Sequence, residues 1–219
     1  YNDYKKGTAS TNNLSQESID QTIIKAENIS KNTQPDECQG LPDSNYTKDD
    51  WDDLDIYYPK DFDIKKLIDL TKKCEAAAFG TDKKITNSEG STFSYSNNKH
   101  MLLSSNGAYG SYKNTDYSLS CIALAEQNKL MERDYWYSNS RDFDKLQPGE
   151  EIGNKAAERA LSRLGARTIK TRNCPVLFSP EMSMSIISNF LSAINGSSIY
   201  KKSSFMLDKI DEKIFPDFF

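Results

Sequence analysis

YSLSCIALAEQNKLMERDYWY, residues 117–137, contains two apolar and aromatic runs separated by Gln127 and Asn128. Asn tolerates the positive φ angles of tight hairpin turns, so this pattern predicts two antiparallel strands joined by a turn. Similar short Tyr- and Ser-rich runs, separated by Gly or Asn, extend over residues 83–141. We therefore predict a meander of about five or six antiparallel strands in this region.

Helical spacing of apolar residues predicts four helices outside the meander, at residues 14–30, 63–79, 148–164 and 182–195. Gly80 follows the second of them, where a left-handed C-cap residue is expected, and the helical spacing of the third continues until Gly165. On the predicted helix that follows Pro148, Glu158, Arg159 and Arg163 are expected to face solvent, opposite the apolar stripe.

Two further segments have no helical pattern. Residues 33–61 contain three prolines among acidic and Asn residues, which predicts a long surface loop. The run Pro175-Val176-Leu177-Phe178 suits a buried strand immediately before the last helix.

The predicted fold class is α+β, with helix–strand units that flank an antiparallel β-meander, followed by the start of a C-terminal domain. Residues 1–80 are assigned to the end of an N-terminal α/β domain with its connecting loop. Residues 81–174 form a middle β-rich region with a helix, and residues 175–219 begin the C-terminal domain.

Charge and composition exclude several classes of protein. The net charge is −4, acidic residues cluster at 49–55, and the only tight basic clusters are scattered Lys-Lys pairs, which disfavours nucleic-acid binding. No apolar run approaches the roughly 20 residues that span a bilayer. No secretory signal opens the chain, so a soluble, cytoplasmic protein is expected. The four cysteines form no CxxC pair, and we expect reduced, mostly buried thiols.

Two sets of residues could carry acid–base chemistry. His100 is the single histidine and stands inside a predicted strand. Glu132 and Asp134 share one face of another predicted strand, while Arg133 points to the other. An enzyme that uses His100 with Glu132 or Asp134 is one hypothesis. The alternative is that His100 has no catalytic role and that the carboxylates form a solvated face or ion pairs.

Several stretches together resemble the PmbA (TldE) branch of the TldD/PmbA family. They are MERDYWYSNSRDFDKL at 131–146, AAERALSRLGAR at 156–167, PVLFSPE at 175–181 and SSIYKKSSFMLDKIDEKIFPDF at 197–218. The likeness continues through GTASTNNLSQESI at 7–19, NTQPDECQGLPD at 32–43 and DKKITNSEGSTF at 82–93. The resemblance covers essentially the whole chain and implies the central part of a protein roughly twice as long.

In the TldD branch, an HExxxH helix holds zinc through its two His residues, and its Glu acts as general base. By position after PVLF, the matching residues here are Ser188, Asn189 and Ala193. Ser188 and Ala193 replace the histidines, and Asn189 replaces the Glu. Hydroxyl, methyl and amide groups do not replace imidazole ligands and a carboxylate base, so no metal, cofactor or catalytic residue is assigned to this chain.

The resemblance implies a non-catalytic subunit of a heterodimeric peptidase. Zinc is expected in the TldD-like partner, and unfolded peptides are the expected substrates. Such peptides commonly bind by adding a strand to a sheet edge, and the meander offers such edges. The alternative is a stand-alone regulatory protein, since this family has also been described as a modulator of DNA gyrase.

Overall fold

A computed structural model describes residues 1–43, 45 and 53–216 of the chain. Its contacts define two compact units, Tyr1–Ala166 and Arg167–Phe219. The first unit contains the helices α1 (Gln16–Lys31), α2 (Ile64–Thr81) and α3 (Gly149–Arg163), and the strands β1 (Ile85–Leu103), β2 (Tyr109–Gln127) and β3 (Leu130–Ser140). This combination of helices with an antiparallel sheet confirms the predicted α+β class. The acidic cluster at 49–55 lies mostly outside the described residues.

The sheet has three long strands in the order β1-β2-β3, and the prediction of about five or six short strands is wrong. The chain reverses at residues 104–108 and again after Gln127. Positive φ angles occur at both turns, 91° at Gly107 and 54° at Asn128. Of the Asn and Gly positions predicted to form turns, those at these two reversals lie in hairpin turns.

The other Asn and Gly positions stay inside the strands. Gly90 has a φ of 100° at a bulge in β1, and Asn98 pairs with Asn114 across the β1–β2 ladder. Asn and Gly permit a turn but do not force one, because the residues on either side continue to pair. The pairing of β2 with β3 ends at Ser140, but β1 and β2 continue to pair beyond that point as a long two-stranded ribbon.

α2 and α3 cover one face of the sheet and bury a small-residue core. Alternate residues of β2 between 117 and 125 point into this core, as its burial pattern shows. The core residues with at most 1% exposure are Cys74, Ala78, Tyr117, Leu119, Cys121, Ala123, Ala125, Ile152, Ala156, Ala157 and Ala160. Alanine and glycine dominate the helix surfaces in the contact, which lets the helices approach the sheet and each other closely.

Helix ends follow the sequence pattern closely, with one exception. Ser15 and Asp63 act as N-caps, accepting hydrogen bonds from the amides of Ser18 and Lys65. The helical pattern predicted up to Gly165 agrees with α3, and Gly165 itself has a positive φ of 77° after the helix. Gly80 does not end α2, because the helix continues to Thr81 and is capped by the next residue, Asp82.

The irregular segment before α2 is held along β2 by hydrogen bonds at two of its residues. The amide of Thr115 donates to the carbonyl of Ile56 at 3.0 Å, and the amide of Tyr58 donates to Thr115 Oγ1 at 2.9 Å. The hydroxyl of Tyr117 donates to the Tyr58 carbonyl at 2.7 Å. Part of the predicted surface loop therefore lies beside β2, at the edge that β3 no longer covers.

Phe62, just before α2, closes this end of the core. Its ring packs edge-on against four aromatic rings, with centroid distances between 4.9 and 5.8 Å: Phe93, Tyr95, Tyr117 and Phe143. Edge-to-face geometry places the positive ring edges against negative ring faces, which stabilises such pairs beyond their buried area.

The second unit contains α4 (Pro180–Ala193) and α5 (Gly196–Tyr200). The prediction of a buried strand at residues 175–178 is wrong: Val176 is 68% exposed and Leu177 98% exposed. Within the described part of this unit no strand lies beside it, so its backbone has no ladder partner and no strand forms.

Two of the four cysteines are buried, Cys74 and Cys121, whereas Cys38 and Cys174 are exposed. The prediction of mostly buried thiols therefore holds only for the two that lie in the helix–sheet core. Among the described residues, the helices are too short or too polar to cross a membrane.

Candidate functional site

The two carboxylates of β3 are neutralised by α3. Arg159 Nε lies 3.3 Å from Asp134 Oδ1, and Arg163 Nη1 lies 3.5 Å from Asp134 Oδ2. Arg163 Nε also lies 3.6 Å from Glu132 Oε2. Arg133, on the opposite face of β3, pairs with Glu89 of β1. The predicted alternation is correct. Of the two α3 arginines predicted to face solvent, Arg163 is exposed, with 55% of its side chain accessible, and Arg159 is partly buried; both also reach the carboxylates of β3.

This arrangement favours an ion-pair role for Asp134 rather than acid–base chemistry. Partial burial raises the pKa of Asp134, but the Tyr135 amide and the Arg159 and Arg163 guanidinium groups outweigh it, so the pKa lies below its ordinary value. A carboxyl group with a lowered pKa stays ionised at neutral pH and has no proton to give as a general acid. The Arg159 guanidinium also lies over the Trp136 ring, 5.2 Å from its centroid, which fixes the pair.

Asp134→Asn is expected to lower the free energy of unfolding by about 1 kcal/mol at pH 7, because it removes a mostly buried partner of two arginines. A lowered folded-state pKa stabilises the protein above the unfolded pKa, and this contribution is lost as the pH falls through the folded-state pKa. The difference between wild type and variant should therefore shrink in acid. Urea unfolding at several pH values measures it.

Glu158→Gln is the matched control, because Glu158 pairs with Lys155 at 3.3 Å but its side chain is 58% exposed. This variant should change the free energy of unfolding by no more than about 0.5 kcal/mol at any pH. An equal effect of the two variants, or an Asp134→Asn effect that grows in acid, would contradict the role of Asp134.

His100 lies in β1 on the two-stranded ribbon, where it has local partners. Its Nε2 is 2.9 Å from Asn114 Oδ1, and its ring stacks on Tyr112 with centroids 4.7 Å apart. Asn114 in turn donates to Asp116, which pairs with Arg141. This polar chain ties the ribbon to the segment after β3.

The structure separates His100 from the carboxylates of β3. His100 is paired with Tyr112 of β2, whereas Asp134 is paired with Ala123, eleven residues further along the same strand. At about 3.4 Å per residue this is roughly 35 Å along the strand. A base and its partner must lie within hydrogen-bond reach, so the hypothesis of an enzyme using His100 with Glu132 or Asp134 is wrong.

The positions that match the zinc motif lie on α4. Ser188 and Asn189 are exposed, and Ala193 is buried as the last residue of the helix. Five residues of an α-helix turn through about 500°, which places Ser188 and Ala193 roughly 140° apart around the axis. The opposite burial of the two positions agrees with this rotation.

The residues at these positions do not fit a zinc ion. Ser188 and Asn189 offer hydroxyl and amide groups, which are poor zinc ligands, and Ala193 offers none. The carbonyl of Ala193 already accepts a hydrogen bond from Ser204 Oγ at 2.6 Å, so this end of the helix is tied to the segment that follows α5. The absence of a metal site in this chain stays a prediction.

β1 leaves a long sheet edge open. It pairs only with β2, and no described strand lies along its other side. From Thr92 to Leu103 this edge contains a single charged residue, Lys99, and no proline. Charges, prolines and short length are the usual protection of an edge strand against pairing. The outer part of β1 is therefore suited to receiving another extended chain.

The outer edge of β3 is less accessible. The Gln147 amide donates to Ser138 Oγ at 3.0 Å, and Trp136 Nε1 donates to Gln147 Oε1 at 3.0 Å. These bonds bring the segment before α3 back beside β3. Of the two edges that the predicted meander offers, β1 is the more open.

Comparison with known proteins identifies the family. Residues 57–164 match the PmbA/TldA metallopeptidase central domain, and residues 171–219 match the PmbA/TldA metallopeptidase C-terminal domain. The chain belongs to the PmbA/TldD metallopeptidase family. This confirms the resemblance found in the sequence.

Curated PmbA proteins match the chain along its whole length. It is 38% identical over 219 residues to a metalloprotease PmbA homolog of Haemophilus influenzae, covering 100% of this chain and 49% of that protein. It is 37% identical over 217 residues to metalloprotease PmbA of Escherichia coli O157:H7, covering 99% of this chain and 48% of that protein. The chain thus spans about half the length of these relatives.

Solved structures support the same fold for this PmbA-like chain. A Bacteroides thetaiotaomicron protein described as a modulator of DNA gyrase has a TM-score of 0.87 and 31% identity, over 98% of this chain and 49% of that one. TldE from Thermococcus kodakarensis has a TM-score of 0.62 and 18% identity, over 96% of this chain and 47% of that one, which shows the fold alone.

Proposed function

We propose that this chain is a PmbA/TldE-like subunit of a TldD/TldE-type zinc metallopeptidase that degrades or matures unstructured peptides in the cytoplasm. The zinc ion and the general base belong to a TldD-like partner, and this chain supports the active subunit and holds substrate. The observation that carries the proposal is that α4 lies within the family-matched region but has Ser188, Asn189 and Ala193 at the positions of the zinc motif.

The division of labour follows from ligand chemistry. A catalytic zinc site requires three protein ligands and a base that can accept a proton from the bound water. In this family-matched helix none of the three positions supplies an imidazole or a carboxylate. A subunit of a metallopeptidase without these groups contributes through binding, and its partner provides the chemistry.

The open edge of β1 is the proposed docking place for the peptide. Unstructured peptides have unpaired backbone amides and carbonyls, and an exposed strand edge satisfies them without regard to sequence. The edge from Thr92 to Leu103 is long enough for such pairing and carries little charge that would select against particular substrates.

Reconstitution of the full-length protein with a TldD-like subunit tests the proposal. The two proteins are expected to co-elute, to cleave an unfolded peptide only together, and to carry zinc in the TldD-like subunit alone. Single proline substitutions at residues 94–97 then test the β1 edge. Successive amides of this strand point alternately toward β2 and toward the free edge, and each proline removes one of them. Variants that keep the wild-type thermal midpoint have lost an outward amide and should lower cleavage about tenfold.

Ser105→Pro is the control. The Gly107 amide donates to the Ser104 carbonyl and closes a turn in which Ser105 is the second residue, and proline is well tolerated at that position of a turn. It should leave cleavage unchanged. If no complex forms and cleavage by the partner is unaffected, the subunit proposal fails. If the complex is active but every stable β1 proline variant cleaves normally, only the docking place is wrong.

A regulatory protein is the second candidate function, favoured by the Bacteroides thetaiotaomicron relative described as a modulator of DNA gyrase. This role needs a protein contact but no zinc. Direct binding of the isolated protein to gyrase, with a measured change in supercoiling rate and no association with a TldD-like subunit, would support it over the peptidase subunit.

A further inference from the structure

One side of α2 contacts β1. Ser88 Oγ of β1 donates a hydrogen bond to the Glu75 carboxylate of α2, with 2.7 Å between the two oxygens. Ile68 and Ile64 precede Glu75 by seven and eleven residues. At about 100° per residue, the three side chains lie within about 40° of one another around the helix axis. Ile64 and Ile68, which form the α2 flank, are therefore on the same side of the helix as its contact with β1.

α3 covers the opposite side of α2. Ala77 of α2 and Asn154 of α3 line a cavity between the two helices. Ala77 is two residues from Glu75, which is about 160° around the axis. α3 packs on β2 and β3, and α2 packs mainly on β1. The α2 flank therefore points away from the centre of the sheet, toward the free edge of β1, and its two isoleucines are 72% and 46% exposed.

α2 and β1 run in opposite directions, so the flank follows the strand edge. Glu75 contacts Ser88 near the start of β1, and Phe62, just before α2, packs against Phe93 and Tyr95 further along the strand. The α2 flank lies between these two contacts along the chain. It is therefore beside the part of β1 between residues 88 and 95, which overlaps the edge proposed above to hold the peptide.

The spacing of the α2 flank matches that of an extended chain. Ile64 and Ile68 are four residues apart in a helix, which is about 6 Å along its axis. Alternate residues of a β-strand are about 6.6–6.8 Å apart and point to the same face of the sheet. A strand added to β1 would therefore place two side chains, at positions i and i+2, against the two isoleucines.

Side chains around the flank are apolar or already paired. On this face of the sheet β1 presents Phe93 and Tyr95, whose rings contact Phe62. The Glu75 carboxylate is bound to Ser88. An apolar peptide side chain would bury area against these groups, whereas a charged one would lose hydration against isoleucine. The flank therefore favours apolar residues.

The other face of the β1 edge offers no comparable surface. Thr92, Ser94 and Ser96 alternate with Phe93 and Tyr95, so they point to the opposite face of the sheet. Peptide side chains on that face would meet hydroxyl groups and solvent. Selection therefore acts on every second residue of a bound peptide.

We propose that the β1 edge and the α2 flank form one groove, which binds extended peptides that have apolar side chains at positions i and i+2. This rests on the proposed function, in which the same edge holds the substrate. The backbone of the peptide pairs with β1, and the flank selects among sequences, as in other sites where a peptide adds a strand to a sheet edge.

The test uses the full-length protein, alone and with a TldD-like subunit, and two unfolded peptides of the same composition. In the first peptide one serine separates two valines, and in the second two serines separate them, which turns the valines to opposite faces of a strand. The first peptide should bind the isolated protein about fivefold more tightly, and the reconstituted pair should cleave it with an equally higher kcat/KM. Fluorescence anisotropy and peptide chromatography measure the two quantities.

The double variant Ile64→Ser with Ile68→Ser should keep the wild-type thermal midpoint and bind the two peptides equally, whereas Ile68→Val should keep most of the preference. Leu130→Ser is the matched control, because Leu130 is 64% exposed at the other end of β2, and it should keep the full preference.

An active pair with the same preference in wild type and the double variant overturns the groove and leaves the subunit proposal standing. Selective peptide binding by a protein that never associates with a TldD-like subunit supports the groove and overturns the subunit proposal. An isolated protein that is a dimer, and that the double variant converts to a monomer, shows that a second copy covers the flank and also overturns the groove.

Discussion

Gly153→Ala is expected to lower the free energy of unfolding of the first unit by about 3 kcal/mol or more. A Cβ at this position would lie 2.0 Å from the carbonyl oxygen of Cys74 and 3.0 Å from the amide nitrogen of Ala78. Both atoms belong to the backbone of α2, so no side chain can rotate away. α2 and α3 would have to separate, which loosens the helix layer over the sheet. Urea unfolding followed by circular dichroism measures the change.

Gly80→Ala is the matched control for the same substitution within a helix. Gly80 lies inside α2 with nothing within 4 Å of its Cβ position. Alanine there should raise the free energy of unfolding by about 0.5–1 kcal/mol, because it restricts the unfolded chain and favours the helix. A Gly153→Ala variant as stable as wild type would mean that α2 and α3 do not pack as closely as described.

Leu119→Ala is expected to lower the free energy of unfolding by about 2–5 kcal/mol. Leu119 is 1% exposed at the centre of β2, between α2 and α3 and beside Phe93. Truncation removes its buried methyl groups and leaves a cavity, which neighbouring alanines cannot fill because they have no side-chain freedom. The same urea unfolding measures the loss.

Leu103→Ala removes the same atoms from the end of β1, where Leu103 is 80% exposed. It should change the free energy of unfolding by no more than about 0.5 kcal/mol. Equal costs for the two leucines would show that the sheet face covered by α2 and α3 is not the core.

Helices and one hairpin were predictable because their signals are local. Ser15 and Asp63 cap helices with their own side chains, and Asn128 supplies the positive φ of a two-residue turn. Long periodic patterns gave the helix bounds to within a few residues. Each of these features depends on residues that are close along the chain.

Strand number was not predictable, because the same residues serve turns and strands. Asn98 and Asn114 have turn chemistry but pair with each other in the ladder, and Gly90 makes a bulge. The ladder on both sides of each position decides the outcome, and it is formed by residues far away in sequence. The strand prediction at residues 175–178 was wrong for the same reason, because strand formation requires a partner strand.

At the candidate site, the sequence identified α4 and its missing ligand types, because ligand chemistry is a property of single side chains. It could not show that Arg159 and Arg163 reach Asp134 from another element, or that His100 is far from Asp134 along the sheet. No local signal marks either arrangement. A spacing rule that compares charged positions on a helix with those on the strand before it could have suggested the arginine pairs.

The sequence by itself determined the α+β class, the family, most of the helix ends and the absence of imidazole and carboxylate groups at Ser188, Asn189 and Ala193. Tertiary structure alone decided the three-stranded sheet, the open β1 edge and the close approach of α2 and α3 at Gly153. The first group depends on side-chain chemistry and local backbone preference. The second depends on which distant segments pack together, and burial of one shared core settles that choice.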